Sequence, residues 1–132
     1  KIIRLLRNSF IVSFFTVVIL IAAGTLASYA FAKIKFPAHD TIYLGFLVTL
    51  FVPAQVTMIP MYINFAKIGL VNNWLGVVIA NWAMFLPETI MLMTANFKGI
   101  PDEIIEAATI DGCSKYTIYY HIILPLLAMQ TI

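Results

Sequence analysis

The chain has 132 residues, of which 62% are hydrophobic and 11% charged, and its formal net charge is +2. Soluble domains are near half apolar and a quarter charged, so water is the wrong solvent for most of this sequence. The small, scattered positive excess, with no basic run and no aromatic-basic interleaving, argues against a nucleic-acid partner.

The apolar residues come in blocks. Residues 8–32, 41–66 and 72–97 contain one charged residue between them, Glu88. A helix of about 25 residues is roughly 37 Å long and crosses a hydrocarbon core of about 30 Å with some tilt. Three full spans are expected. A fourth apolar run starts at Ile122 and is cut off at Ile132, and the chain opens on Lys1, so an excerpt of a longer polypeptide with helices beyond both ends is expected. Lys1, Arg4 and Arg7 before an apolar run would also suit a secretory signal peptide, but that run is too long and two more spans follow.

The first span turns from bulky residues to a small cluster, Ala22, Ala23, Gly24, Ala27, Ser28 and Ala30. Small residues let helix backbones approach closely in lipid, so this half should face protein. Lys33, Lys35, Pro37, His39 and Asp40 form a short polar link. In the second span Pro53 and Pro60 remove backbone hydrogen bonds, which suits a moving or cavity-lining element and equally a static kink. A link at 67–73 follows, with Gly69 and the Asn72-Asn73 pair as turn residues and Trp74 as an interfacial anchor. Basic residues do not orient the spans: Lys1, Arg4, Arg7 and Lys67 fall on one side, and Lys33, Lys35, Lys98 and Lys115 on the other.

The polar segment at 98–121 interrupts the membrane pattern. Pro101 suits a first helical position, with Asp102 and Glu103 in the first turn, where the helix dipole favours negative charge. On a helical wheel Ile100, Ile104, Ala107, Ala108 and Asp111 share one small, apolar face, and Asp102, Glu103, Glu106 and Thr109 the other. Gly112 supplies a turn, after which Asp111 or Ser114 can cap a second short helix starting near Lys115. Helices lying on lipid usually carry Lys or Arg on the polar face. This one carries acids, which suits a socket on a basic cytosolic partner better. Cys113, the single cysteine, permits no internal disulfide and is most simply a small residue at the turn.

Glu106-Ala107-Ala108, then Asp111-Gly112, then Leu124-Pro125 resemble the EAA loop of binding-protein-dependent ABC importer permeases. The rest agrees: Asn8-Ser9, Tyr29 to Ala32, Lys35 to Pro37, the Val52-Pro53-Ala54-Gln55 and Ile59 to Tyr62 runs, and Lys67 to Asn72 resemble the second, maltose-type permease subunit of carbohydrate importers. The resemblance implies an all-α, polytopic transmembrane bundle with the MetI-like permease core, residues 1–132 forming part of one domain in a multi-pass cell-membrane protein. It places the link at 33–40 and the loop at about 98–121 in the cytoplasm, and it makes Glu106, Ala107, Ala108, Asp111 and Gly112 the element that couples an ATPase subunit to the membrane helices. The implied partners are a second permease subunit, two cytosolic ATPase subunits and an extracytoplasmic solute-binding protein. No cofactor is expected on this chain; ATP and Mg belong to the ATPase. The sequence departs from the pattern at Cys113, where alanine is frequent, and at Thr94, where many relatives carry a basic residue.

A charge inside a span is penalised unless it meets a cavity or partner. Glu88, with Asn81 two turns earlier on a similar face and Gln55 as a weaker companion, could therefore line a translocation path and hydrogen-bond sugar hydroxyls. Glu88 could instead be a protonated or paired structural residue between helices. An intramembrane enzyme would need a nucleophile-base pair or paired carboxylates at membrane depth, and Glu88 stands alone, so no catalytic residue and no metal ligand is assigned. A self-contained pump would need a phosphate-cradling GxxxxGK[ST] loop, which this sequence lacks. A permease of the same architecture for peptides, amino acids or metal is the nearer alternative. The sugar-type runs speak for a sugar or sugar derivative: a monosaccharide, an oligosaccharide or a glycerol phosphate ester.

Overall fold

The computed structural model describes residues 2–130. Lys1 and the last two residues of the expected fourth run, 131 and 132, lie outside the described residues. In chain order the elements are α1 (Ile2–Lys33), α2 (His39–Thr49), α3 (Ala54–Lys67), α4 (Trp74–Lys98), α5 (Asp102–Ile110), α6 (Lys115–Thr117), a π-helical stretch (Ile118–Ile123) and α7 (Leu124–Gln130). There is no strand among the described residues, and the fold is an all-helical membrane bundle. α1 and α4 are each long and apolar enough to cross a membrane alone.

These two helices form the packed pair. Phe15 meets Trp74 with ring centroids 5.4 Å apart, the Ser28 hydroxyl donates to the Ile90 carbonyl at 3.2 Å, and the Lys33 ammonium donates to the Ile100 carbonyl at 2.6 Å. Residue numbers rise together along both helices, so α1 and α4 run parallel. The small cluster makes this possible: a Cβ on Gly24 would lie 2.6 Å from the Thr89 methyl, and Ser28 is fully buried. Where lipid removes the hydrophobic incentive, such close approach and polar contacts hold helices together.

Because α1 and α4 point the same way, residues 34–73 must return across the bundle. The structure does not do so with one helix over 41–66. It has two, α2 and α3, bent by 97°. Pro53 causes the break: it has no N–H to continue the helix and disfavours helical geometry at Val52. α2 therefore ends in tight bonds from Phe51 to the Val48 carbonyl and from Val52 to the Thr49 carbonyl, both 3.1 Å, and Pro53, extended at φ −61 and ψ 133, precedes the first residue of α3. Pro60 lies within α3 and Pro87 within α4, and neither ends its helix. α2 and α3 contain no buried residue.

The turn from α3 into α4 uses left-handed backbone at Gly69 (φ 73) and Asn72 (φ 61), residues that tolerate it. Asn73 then caps α4 by accepting the Leu75 N–H at 3.0 Å. The main buried cluster lies at the opposite end of α4, where Phe97, Ile100, Ala108, Ile118, Tyr119, Ile123 and Leu127 pack together.

Candidate functional site

The segment after α4 folds onto the ends of α1 and α4 instead of spreading away from them. Pro101 is extended and stands one residue before the helix, so Asp102, not Pro101, opens α5, with Glu103 behind it. The Lys33 ammonium sits 2.6 Å from the Asp102 carboxylate as well as 2.6 Å from the Ile100 carbonyl. Its side chain is 7% exposed and that of Asp102 76%.

α5 ends in a closed turn. The Cys113 N–H donates to the Ala108 carbonyl at 3.0 Å and the Gly112 N–H to the Thr109 carbonyl at 3.1 Å. These nested bonds, with Gly112 left-handed at φ 80, make a Schellman turn that satisfies the last carbonyls of the helix. Ser114, and not Asp111, caps α6: its hydroxyl accepts the Thr117 N–H at 3.2 Å. Asp111 has its backbone in the cap of α5 and its side chain exposed.

The expected grouping of faces on α5 is rotated in the structure. Ala108 is buried and Ile105 is half-buried against the core cluster, whereas Ile104, Ala107 and Asp111 face outward with Glu103 and Glu106. The chain returning from Gly112 brings Ile118 and Ile123 beneath Ala108, and this places the inward line at Ile105 and Ala108. Of the five loop residues singled out from the sequence, Glu106, Ala107, Asp111 and Gly112 are thus presented together outside, and Ala108 anchors the helix from within. Ile110 and Tyr116 flank the turn at 85% and 79% exposure. The outward surface around the turn is therefore acidic, from Glu103, Glu106 and Asp111, with Ile110 and Tyr116 as its two exposed apolar side chains.

Beside it lies an open cavity of about 630 Å³, bordered by the basic side chains Lys33, Lys35 and Lys98, by His39 and by the acids Asp40, Asp102 and Glu106. His39 ties the start of α2 to α1. One ring nitrogen is 2.7 Å from the Asp40 carboxylate and the other 2.8 Å from the Phe31 carbonyl. Both partners only accept, so the doubly protonated ring satisfies both contacts. The Asp40 hydrogen bond, and then that to Phe31, raise the His39 pKa above its ordinary 6.5.

Glu88 and Asn81 lie on one side of α4, roughly 160° and 180° around the helix from buried Ile90. That side, with Phe85 and Leu92, is turned away from α1, and Glu88 is exposed. Gln55 is exposed in the first turn of α3. The cavity of about 370 Å³ between the α2–α3 bend and α4 is bordered by Thr49, Thr57, Ala83, Met84 and Pro87, but by none of these three residues. The structure therefore pairs Asn81 with Glu88 and does not gather Gln55 with them. Thr94 points into the packed side of α4 and is buried, so it is not part of the outward loop surface. Sequence reasoning does not single out Lys33, Thr25 and Tyr119 as functional. The one signal for them is a lysine immediately ending an otherwise uncharged span.

Residues 19–132 match the family described as the binding-protein-dependent transport system inner membrane component. The chain belongs to this family. It is 38% identical over 119 residues to the osmoprotective compounds uptake permease protein GgtD of Synechocystis, covering 90% of this chain and 40% of that protein. It is 34% identical over 123 residues to the multiple sugar-binding transport system permease protein MsmG of Streptococcus mutans, covering 91% of this chain and 44% of the relative. A crystal structure of a bacterial ABC transporter involved in the import of the acidic polysaccharide alginate contains a chain that superposes with a TM-score of 0.80 at 27% identity, over 96% of this chain and 44% of that one. The chain spans less than half the length of the curated relatives it matches. As a member of this family it is an inner membrane component of a binding-protein-dependent transport system. Its helical architecture is that of the MetI-like permease core.

Proposed function

We propose that this chain is part of the permease subunit of an ATP-driven, binding-protein-dependent importer for a sugar or sugar derivative, a multi-pass protein of the cell membrane. The outward loop surface carries this reading: Glu106, Ala107 and Asp111 stand exposed around the Gly112 turn, while Ala108 fixes α5 to the bundle. In this scheme the exposed acids meet basic groups on a cytosolic ATPase subunit, Ala107 permits close approach, and Gly112 sets the turn. ATP and Mg stay on that partner, and this chain supplies no cofactor site. Closure of two ATPase subunits around ATP pushes the loop, and α4 receives the push through Gly99, Ile100 and Pro101 and through the core that Ala108 shares with Phe97. A second permease subunit forms the other half of the path, and an extracytoplasmic solute-binding protein delivers the substrate.

The sugar class is supported by relatives named for multiple sugars, arabinooligosaccharides and melibiose, raffinose and stachyose. Glu88 and Asn81, on the unpartnered side of α4, are the candidates to meet it, with Gln55 a separate contact on α3. The deciding experiment is ATP hydrolysis by the full-length subunit reconstituted with its operon partners, measured against a panel of mono-, di- and trisaccharides. Stimulation by at least one sugar is expected, with loss on Glu106→Lys and on Gly112→Pro while the subunit remains in the membrane. Unchanged stimulated hydrolysis in both variants would refute the docking role.

A further inference from the structure

α4 is joined to the loop directly by the backbone. α1 has no such connection, since Lys33 and Asp102 are 69 positions apart and Thr25 and Tyr119 are 94. It is nevertheless held at two heights. At its end, Lys33 gives one ammonium proton to the Ile100 carbonyl and another to the Asp102 carboxylate, so a single side chain grips both the exit from α4 and the entry to α5. About 12 Å deeper along the helix, the Thr25 hydroxyl donates to the Ile21 carbonyl at 2.6 Å and lies 2.6 Å from the Tyr119 hydroxyl. Thr25 has only one proton, so Tyr119 is the donor to Thr25. Between the two points the Tyr29 ring packs 5.3 Å from Tyr119 and 6.1 Å from Phe97.

The stretch from Gly99 to Pro101 is the hinge between α4 and α5: Gly99 is the helical cap of α4, Ile100 is buried in the core cluster and Pro101 is extended before α5. Pivoting there would let the first turn of α5 shift against the ends of α1 and α4 about its Ala108 anchor. Lys33 spans it from outside. Its ammonium is largely enclosed while its carboxylate partner is exposed, so the lysine is the fixed member and the start of α5 the member it holds. We infer that Lys33 is a positioning residue that clamps the α4–α5 hinge to the end of α1, making α1, α4 and α5 one moving body. This rests on the coupling role proposed above for the loop.

The test uses the full-length subunit with its membrane and ATPase partners in lipid nanodiscs, in a Cys113→Ser background. Spin labels at Leu26→Cys on α1 and Glu103→Cys on α5, both exposed positions, report the α1–α5 distance without nucleotide and after trapping with ATP and vanadate. With Lys33 present, one narrow distance common to both states is expected. Lys33→Met, which keeps the apolar stem, should broaden the distribution and let it shift on trapping, and Lys33→Arg should restore the narrow one. Asp102→Asn alters an exposed group and carries the same test should Lys33→Met fail to fold, with a smaller broadening expected. A Lys33→Met or Asp102→Asn distribution as narrow as wild type, or a wild-type distance that itself shifts on trapping, would overturn the clamp. Assembly with the ATPase subunits is checked on the unlabelled subunit, where its failure counts against the coupling reading separately, and the nucleotide-free comparison of wild type with Lys33→Met still decides the clamp.

Discussion

The α1–α4 pair and the α2–α3 pair are made of similarly apolar residues, yet they solve different problems. Each helix of the first pair is uninterrupted, Pro87 included, and each buries residues against its partner. The second pair is bent by 97° and contains no fully buried residue, though Tyr43 and Phe46 of α2 are half-buried against Phe31. A proline does not by itself decide the outcome, because Pro53 breaks a helix and Pro87 does not. What differs is support: the Ile90 carbonyl, one turn beyond Pro87, receives the Ser28 hydroxyl, and the surrounding face of α4 lies on α1. α2 packs only one end on the pair, through Tyr43 and Phe46 on Phe31, and Pro53 lies beyond that contact. In a membrane, where burial against a neighbour cannot be driven by water, close approach and hydrogen bonds separate a rigid pair from a bent one.

The contrast between the pairs is most severely tested at Gly24. A leucine there must displace Thr89, so Gly24→Leu should cost about 3 kcal/mol, the upper range for overpacking. Thermal unfolding of the full-length subunit in nanodiscs measures it, and an unchanged midpoint would show that the pair does not depend on this contact. Pro53→Ala should reduce the α2–α3 bend, since it restores an N–H and frees Val52 to be helical. Spin labels on Leu44→Cys and Ile63→Cys read the angle as a longer separation. If that separation is unchanged, the bend is held by packing rather than by proline.

A smaller effect is expected from Ser28→Ala, which removes the hydrogen bond to the Ile90 carbonyl. Polar contacts between membrane helices average about 0.6 kcal/mol and reach about 1.7, and the loss should fall in that range. His39 offers a pH-dependent tie between the two pairs. Its folded pKa lies above 6.5, so its contribution is fully present below that value and is lost as pH rises through the raised folded value. The unfolding midpoint should therefore fall from mildly acidic to alkaline pH, and His39→Phe should flatten that part of the profile. Ile59→Ala should have the least effect, within about 0.5 kcal/mol, because Ile59 is 71% exposed on α3. A loss comparable to that of a core residue would show that the full-length protein covers this helix.

The local features were legible without coordinates. Uncharged blocks of about 25 residues announce membrane helices because hydrocarbon excludes charge. Gly24 and Ser28 of the small cluster mark the side of α1 that α4 approaches, and Gly112 marks the turn because a left-handed backbone favours glycine. Such signals are carried by a residue and its near neighbours.

The rest depended on residues distant in the chain. Which side of α5 turns inward was decided by Ile118 and Ile123 arriving beneath Ala108, which moved the buried line to Ile105 and left Ala107 outside. The parallel alignment of α1 with α4 and the grip of Lys33 on Ile100 and Asp102 join positions more than sixty residues apart. Periodicity and hydropathy describe what one helix offers to its surroundings. They do not specify which surroundings it meets, because that depends on the geometry of helices packed side by side.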